Sequence, residues 1–193
     1  MEDSPFEQCR FGADLQTYFI KRFLGPVLLK DHPSVALMAH DDMKALIELI
    51  TKPVLDDPEA AQYIKGIAVH WYSGDDWGQL QLAQKLFPDK FVLATEACEC
   101  PGVKLDDWYR GEHYAHDIMG DLNNFVVGWC DWNVLLNIQG GPNHIHNFCD
   151  APIVADIQNQ RLHYQIPYFT MGHFTRYLAP NSVRIGVKVT GPT

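Results

Sequence analysis

The sequence is poor in basic residues and has no long apolar run. Its 15 lysines and arginines stand against 24 aspartates and glutamates, a formal net charge of −9, and no basic cluster stands out. A surface that tracks nucleic-acid phosphates needs such a cluster, so we expect no nucleic-acid partner. No uninterrupted apolar stretch approaches the ~18 residues that cross a bilayer, so we expect no membrane-spanning helix.

A secretory signal is also not expected in this chain. The amino-terminal stretch MEDSPFEQCRFG has no basic segment followed by an apolar one. A signal peptide needs both, because a charged region and an apolar region are what the export machinery recognises. Taken alone, these absences indicate a soluble cytosolic protein.

Cysteine is sparse, and its pattern is not that of a disulfide scaffold or a zinc site. The chain has five cysteines, at Cys9, Cys98, Cys100, Cys130 and Cys149. An odd number leaves at least one thiol unpaired within the chain. Cys98 and Cys100 form a Cys-x-Cys pair with no suitably placed histidine pair, which is poor zinc spacing. His144 and His146 lie in a Gly-Pro-Asn loop and are predicted to be exposed, so we expect no metal.

Apolar runs alternate along the chain with helix-like stretches. The runs that resemble buried strands are 35–39, 63–69, 91–95 and 125–130. The stretches that resemble helices are 13–24, which ends at Gly25-Pro26, and 42–50, 76–87 and 106–123. Near-continuous apolar runs separated by helices favour a parallel sheet covered on both faces, so we predict an α/β fold.

Polar and aromatic residues follow each predicted strand. They are His40-Asp41-Asp42, His70-Trp71-Tyr72, Glu96 and Asp131-Trp132-Asn133. In a (β/α)₈ barrel the carboxyl ends of the strands meet on the face that holds the active site. Asp and Asn can alternatively cap the next helix, but Glu96, His70 and Trp132 are not preferred capping residues. Four βα units make only half a barrel, and a sheet with two open edges cannot close.

Four stretches carry a resemblance to the glucosylceramidase family. They are DDPEAAQYIKGIAVHWY (56–72), FVLATEAC (91–98), VVGWCDWNVLLNIQGGPNHIHNFCDAPI (126–153) and MGHFTRYLAPNSVRIG (171–186). This family is a set of retaining glycosidases with a (β/α)₈ barrel. The resemblance therefore implies a partial TIM barrel covering approximately strands five to eight. It assigns residues 1–180 to the carboxyl-terminal half of the barrel and residues 181–193 to the start of a β-domain.

The resemblance also implies roles for particular residues. Glu96 matches the catalytic nucleophile, and Cys98 matches a cysteine beside it. The residues that match substrate-binding positions are Asp41, His70, Tyr72, Trp132, Asn147 and Phe148. The family's acid/base glutamate lies in an Asn-Glu-Pro motif that should precede Phe6, whereas Glu2 and Glu7 have no such context. We therefore expect an incomplete copy of the enzyme that is not catalytically competent by itself.

For the full-length protein, the resemblance implies hydrolysis of glucosylceramide to glucose and ceramide. It implies no cofactor, a lysosomal location, and action at an acidic membrane surface with a saposin-type activator. Two alternatives stay open. One is a non-catalytic remnant that binds glycolipid or sugar. The other is an unrelated cytosolic α/β enzyme that uses Asp41, Asp42, His70 and Glu96, with or without a metal.

Overall fold

The computed structural model describes residues 11–187, and four parallel strands form its main sheet. The strands are β1 (Leu37–Met43), β2 (Ile64–His70), β3 (Phe91–Glu96) and β4 (Val126–Trp129). They lie side by side in chain order, and each pairs in parallel with the next. This confirms the predicted α/β fold with a parallel sheet. Glu2, Glu7 and Cys9, named above, lie outside the described residues.

Helices connect the strands as the alternating pattern predicts. They are α1 (Ala13–Phe19), α2 (Gly25–Asp31), α3 (Lys52–Leu55), α4 (Pro58–Ala61), α5 (Trp77–Leu86) and α6 (Trp108–Asn123). The Asp107 side chain caps α6 by accepting a hydrogen bond from the Tyr109 N–H at 3.0 Å. Such a cap satisfies one of the free N–H groups at a helix start.

The predicted stop at Gly25-Pro26 is wrong, because the helix continues through both residues. A π-helical turn, Ile20–Leu24, joins α1 to α2, and the Gly25 N–H donates to the Ile20 carbonyl five residues back. This wider turn lets the proline ring, which has no N–H, stand at the start of α2. Only glycine fits at position 25, since an added Cβ would lie 2.3 Å from the Tyr63 ring.

A second π turn, Ile47–Thr51, precedes Lys52-Pro53 in the same way, and the Lys52 N–H bonds to the Ile47 carbonyl. The helix predicted over 42–50 is therefore partly wrong. β1 is longer than the apolar run, because Asp42 and Met43 still pair with β2. A 3₁₀ turn, Lys44–Leu46, follows the strand directly.

The main core lies between the sheet and its helices. Ile67 and Val69 of β2 and Val92 of β3 are buried against Leu80 and Ala83 of α5. Leu80 and Ala83 are three residues apart and so share one face of the helix. This packing fixes the position of the strand ends, where the polar residues lie.

The last part of the chain forms a second sheet and a helix that the apolar pattern did not predict separately. The strands are β5 (Leu135–Asn137), β6 (Ile153–Asp156) and β7 (Arg161–Tyr164), followed by α7 (Ile166–Tyr177). β5 and β6 are parallel, whereas β6 and β7 are antiparallel. Residues 182–187 form neither helix nor strand, and 188–193 lie outside the described residues, so the predicted β-domain stays a prediction. None of the helices within 11–187 has the length and apolar character needed to cross a membrane.

Candidate active site

Three titratable side chains from neighbouring strands meet at the carboxyl edge of the main sheet. His70 ends β2 and Glu96 ends β3, and the two residues are paired across the sheet. Their nearest charged atoms, His70 Nε2 and Glu96 Oε2, are 4.0 Å apart. Asp41, near the end of β1, lies on the other side of His70, with its Oδ1 3.0 Å from His70 Nε2. The edge that the strand pattern indicated is therefore a cluster of interacting polar groups.

A bulge in β1 positions Asp41. His40 pairs with Ala68 and Asp42 pairs with Val69, so Asp41 is the unpaired extra residue between them. His40 and Asp41 have φ angles of 85° and 57°, in the left-handed region that residues with a side chain seldom adopt. Each such residue costs about 1–3 kcal/mol, and strain of this kind is concentrated at functional sites.

The Asp41 carboxylate is held in its charged form. Its Oδ1 accepts hydrogen bonds from Thr95 Oγ1 at 2.7 Å and from His70 Nε2 at 3.0 Å. Partial burial acts against the charge, but these two donors together lower the pKa of Asp41 below its ordinary value. Because a carboxylate can only accept, the His70 Nε2 atom must carry a proton. A carboxylate held in this way is a poor general acid.

Glu96 is bound by the Tyr72 hydroxyl, which donates to its Oε1 at 3.1 Å. The same hydroxyl lies 3.3 Å from the Cys98 sulfur. Tyr72 has one hydroxyl proton, and it is directed to Glu96, so the Tyr72 oxygen can act only as an acceptor toward Cys98. Burial, together with the contact to Cys98, raises the pKa of Tyr72, and burial raises that of Cys98 to about 12. Both groups therefore keep their protons.

Glu96 remains reachable from outside despite these partners. Its side chain is 28% exposed, whereas that of His70 is 16% exposed. A carboxylate that is oriented by a phenol and still open on one side can attack an electrophilic carbon. We call Asp41, His70, Tyr72 and Glu96 the strand-end cluster.

The other three predicted binding residues, Trp132, Asn147 and Phe148, lie in the segments that follow β4. Trp132 follows β4, and its backbone N–H donates to the Ala97 carbonyl at 2.9 Å, one residue after Glu96. Trp132 and Asn147 share an open cleft of about 580 Å³. Phe148 is not among the residues that line this cleft, and its ring lies next to Gly141.

Comparison with known proteins shows which family the chain belongs to. Residues 1–178 match the model of the glycosyl hydrolase family 30 TIM-barrel domain. The chain belongs to glycosyl hydrolase family 30. It is 38% identical over 197 residues to the lysosomal acid glucosylceramidase of Mus musculus, with 98% of this chain and 38% of the mouse protein covered. This family 30 chain thus spans about two fifths of the length of that relative.

Two solved structures have the same fold as this family 30 chain. SrfJ from Salmonella typhimurium is 32% identical with a TM-score of 0.84, covering 90% of this chain and 40% of its own. An endo-β1,6-glucanase has a TM-score of 0.83, covering 94% and 42%, but at 23% identity it shows the fold alone. The family match therefore establishes that these strands belong to a TIM-barrel domain.

Sequence reasoning missed several groups around the site of this family 30 chain. Thr95, which binds Asp41, stands directly before Glu96, and no sequence pattern marks it. Glu99 binds His113 Nδ1 at 2.5 Å, and this hydrogen bond raises the pKa of His113 against the effect of burial. His113 in turn stacks on the Trp71 ring at 4.3 Å. These contacts join residues from separate elements, so spacing along the chain could not show them.

Two buried acids lie outside the strand-end cluster. Burial raises the pKa of Asp131 to about 7 and that of Asp121 to about 6. Both Asp131 oxygens are buried, so its proton is not delivered directly to a ligand. Asp121 and Asp117 each accept a hydrogen bond from the fully buried Lys44 ammonium at 2.6 Å. Lys44 comes immediately after β1, so this contact anchors the end of that strand to α6.

Cysteine pairing also differs from what spacing could predict. Cys100 and Cys149 form a disulfide, while Cys98 and Cys130 are free thiols. Within residues 11–187, the sulfurs of Cys98, Cys100 and Cys149 are the one group of potential metal-ligand atoms that lie close together, all within 4.8 Å.

Proposed function

We propose that the protein containing this chain is a retaining glycosidase that hydrolyses glucosylceramide to glucose and ceramide, with Glu96 as its nucleophile. The observation that carries the proposal is the strand-end cluster. In a family 30 chain, it presents an oriented and reachable carboxylate at the carboxyl edge of a parallel sheet. That edge is where barrel enzymes of this kind carry out their chemistry. The choice of substrate is supported by the name of the mouse relative, a glucosylceramidase.

In the proposed reaction a Glu96 oxygen attacks the anomeric carbon of the glucose. The bond from that carbon to the ceramide oxygen breaks, and the departing oxygen takes a proton from a general acid. Water then attacks the glucosyl ester, loses its proton to the same group, now a base, and releases glucose. Tyr72 orients Glu96 for the first step, and its hydrogen bond must weaken as the Glu96 charge is consumed.

We place the general acid outside residues 11–187. Retaining hydrolysis needs a carboxyl group roughly 5–5.5 Å from the nucleophile that can hold a proton. Asp41 does not suit this role, because Thr95 and His70 keep it ionised. Asp131 holds a proton but its oxygens are buried. The Asn-Glu-Pro motif of the family is the source we propose, so residues 11–187 alone would not be competent.

For binding, we propose that Trp132 presents its ring to an apolar face of the glucose and that Asn147 contacts the substrate from the cleft. Trp132 is 40% exposed, which leaves its ring available. Phe148 shapes the loop at the mouth of the site, and Asp41 and His70 complete its polar wall. In barrel terms we propose that β1 to β4 are strands five to eight, within residues 1–180, with a β-domain beginning at 181–193.

A lysosomal site of action is part of this proposal. The mouse relative is named a lysosomal enzyme, and this chain is acidic, with a formal net charge of −9 at pH 7. Carboxylates become partly protonated in an acidic compartment, which lowers the negative charge that an anionic membrane surface would repel. An acidic membrane surface, assisted by a saposin-type activator, is therefore a consistent setting for a glycolipid substrate.

The test is to trap the covalent intermediate on the full-length protein. A 2-deoxy-2-fluoroglucoside with a good leaving group should add one sugar to the peptide that contains Glu96, as read by mass spectrometry. Glu96→Gln should lose the label and lower kcat by ~10⁴-fold or more. Glu99→Gln, three residues away and bound to His113, is the matched control and should keep both. Label on another residue, or turnover retained in Glu96→Gln, would refute the assignment.

A further inference from the structure

Three sulfur atoms meet two residues beyond the candidate nucleophile. Cys98 Sγ lies 3.6 Å from Cys100 Sγ, and Cys149 completes a group whose sulfurs are all within 4.8 Å of one another. Cys98 and Cys100 come from the segment after β3, whereas Cys149 comes from the loop before β6. The proposed hydrolysis uses none of these sulfurs as a reacting group.

We propose that reduction of the Cys100–Cys149 disulfide creates a binding site for one thiophilic divalent cation, with Cys98, Cys100 and Cys149 as ligands. Reduction adds two electrons and two protons to the disulfide, for example from a phosphine that becomes a phosphine oxide with water as the oxygen source. The cation then displaces the three thiol protons. Thiolates are soft ligands and favour Zn²⁺ or Cd²⁺ over Mg²⁺ or Ca²⁺.

The spacing of the sulfurs fits such an ion. With a metal–sulfur distance of ~2.3 Å, tetrahedral geometry sets the thiolate sulfurs about 3.8 Å apart. Cys98 and Cys100 already lie 3.6 Å apart, so Cys149 is the sulfur that must move, and only after its disulfide is broken. Two cysteines one residue apart make a poor site by themselves, and the third ligand comes from a distant part of the chain.

Contacts other than the disulfide keep these segments together. The Gly102 N–H donates to the Phe148 carbonyl at 2.7 Å, and the Asp150 N–H donates to the Glu99 carbonyl at 2.8 Å. These two bonds flank the disulfide on both sides. Asp150, next to Cys149, is also buried and bound by the Arg110 guanidinium and the Gln165 amide. Reduction should therefore free the sulfurs without separating the segments that carry them.

The two sides of the cluster differ in access. Cys98 and Cys149 are buried, whereas Cys100 is exposed, so a cation can enter beside Cys100. On the inner side, Cys98 contacts the Tyr72 hydroxyl, which binds Glu96. A bound cation would take the place of the Cys98 thiol proton beside the Tyr72 hydroxyl. The site itself does not depend on the proposed function, because metal uptake can be measured without substrate.

The experiment is a Cd²⁺ titration of the full-length protein, reduced by a phosphine and kept under anaerobic conditions. Sulfur-to-cadmium charge-transfer absorbance should saturate at one Cd²⁺ per chain in the reduced protein and be absent in the oxidised protein. Cys98→Ser or Cys149→Ser should weaken binding by more than the ~10–100-fold that loss of an outer-shell partner costs. Cys130→Ser, which removes a free exposed thiol outside the group, should leave binding unchanged.

A second measurement uses the unmodified sequence, in case a serine variant fails to fold. Alkylation of the reduced protein with and without Cd²⁺, followed by peptide mass spectrometry, should show Cys98, Cys100 and Cys149 protected together while Cys130 reacts. The proposal is overturned if reduced protein takes up no Cd²⁺, or if protection does not include all three cysteines. Neither result would bear on labelling of Glu96, so the two proposals fail independently.

Discussion

The strand-end cluster and the Lys44 cluster are both built from opposite charges, yet their surroundings differ. Lys44, Asp117 and Asp121 have side-chain exposures of 0%, 5% and 0%, whereas Asp41 is 68% exposed and Glu96 is 28% exposed. In the buried group the Lys44 ammonium donates to both carboxylates and all three side chains are closed to solvent, so the group acts on the stability of the fold. In the exposed group, one carboxylate is oriented and left open, at the cost of a strained backbone at His40 and Asp41.

The comparison shows that residues close together in the chain can serve different purposes, one group contributing to stability and the other to chemistry. Lys44 comes three positions after Asp41, and the two side chains serve different clusters. A buried charge whose partner is removed stays uncompensated in a low-dielectric interior, whereas an exposed one is solvated by water. Substitutions in the Lys44 cluster should therefore change the free energy of unfolding, and those at Glu96 should change turnover.

The largest effect on stability is expected for Lys44→Ala. It leaves Asp117 and Asp121 buried without their shared cation, so the free energy of unfolding should fall by about 3–5 kcal/mol. The control is Lys52→Ala, which removes an exposed pair with Asp56 in which the side chains are 38% and 52% exposed. That change should cost about 0.3–0.5 kcal/mol. Urea denaturation measures both, and equal losses would contradict the distinction between the clusters.

A smaller, pH-dependent effect is expected for Asp121→Asn. Burial raises the pKa of Asp121 to about 6, so the folded state binds its proton more tightly than the unfolded chain does. Stability conferred by this proton is complete below about pH 4 and is lost as pH rises through about 6, by roughly 3 kcal/mol. Asp121→Asn should abolish this decrease in the free energy of unfolding as pH rises.

Denaturation at a series of pH values from 4 to 7 checks the Asp121 prediction, with Asp56→Asn as the exposed control. Asp56 pairs with Lys52 at the surface, so its replacement should change the free energy of unfolding by less than about 0.5 kcal/mol at each pH. An undiminished slope in Asp121→Asn would show that another group is responsible.

The smallest effect is expected for Thr95→Val, within the strand-end cluster. It removes the 2.7 Å hydrogen bond to Asp41 but keeps the side-chain shape, so it should cost about 1 kcal/mol at neutral pH. The pKa of Asp41 should rise toward its ordinary value, because one of its two donors is gone. The stability difference from the parent should therefore shrink as pH falls and Asp41 becomes protonated in both proteins.

Carboxyl NMR titration and denaturation together test the Thr95 prediction. Thr175→Val, at an exposed position of α7, is the control and should change stability by less than about 0.5 kcal/mol. If Thr95→Val leaves the Asp41 titration unchanged, the carboxylate is not held by Thr95 in solution.

Apolar runs predicted the main sheet well because buried parallel strands are nearly continuous in apolar residues. The run at 63–69 corresponds to β2 (Ile64–His70), and the run at 91–95 corresponds to β3 (Phe91–Glu96). β1 was placed too early, since a bulge carries the strand on into polar residues that no hydrophobicity pattern marks. The family motifs led to Asp41, His70, Tyr72 and Glu96, which the structure brings together.

Other features depend on contacts between distant parts of the chain. Lys44 looks like an ordinary surface lysine until its partners on α6, 73 and 77 residues away, are known. The pairing of Cys100 with Cys149, 49 residues apart, likewise has no signal in the local sequence. Local periodicity reports how deeply a residue is buried, but it does not report which residues it will meet.

The π turns before Gly25-Pro26 and Lys52-Pro53 have a consequence for comparing relatives. Each turn contains one residue more than an α-helix needs, and one residue corresponds to a rotation of about 100° around the helix axis. The apolar face after the turn is offset by that angle from the face before it. We expect relatives that lack the proline to lack the extra residue of the π turn as well. A single-position gap in an alignment at either turn then marks the gain or loss of that π turn.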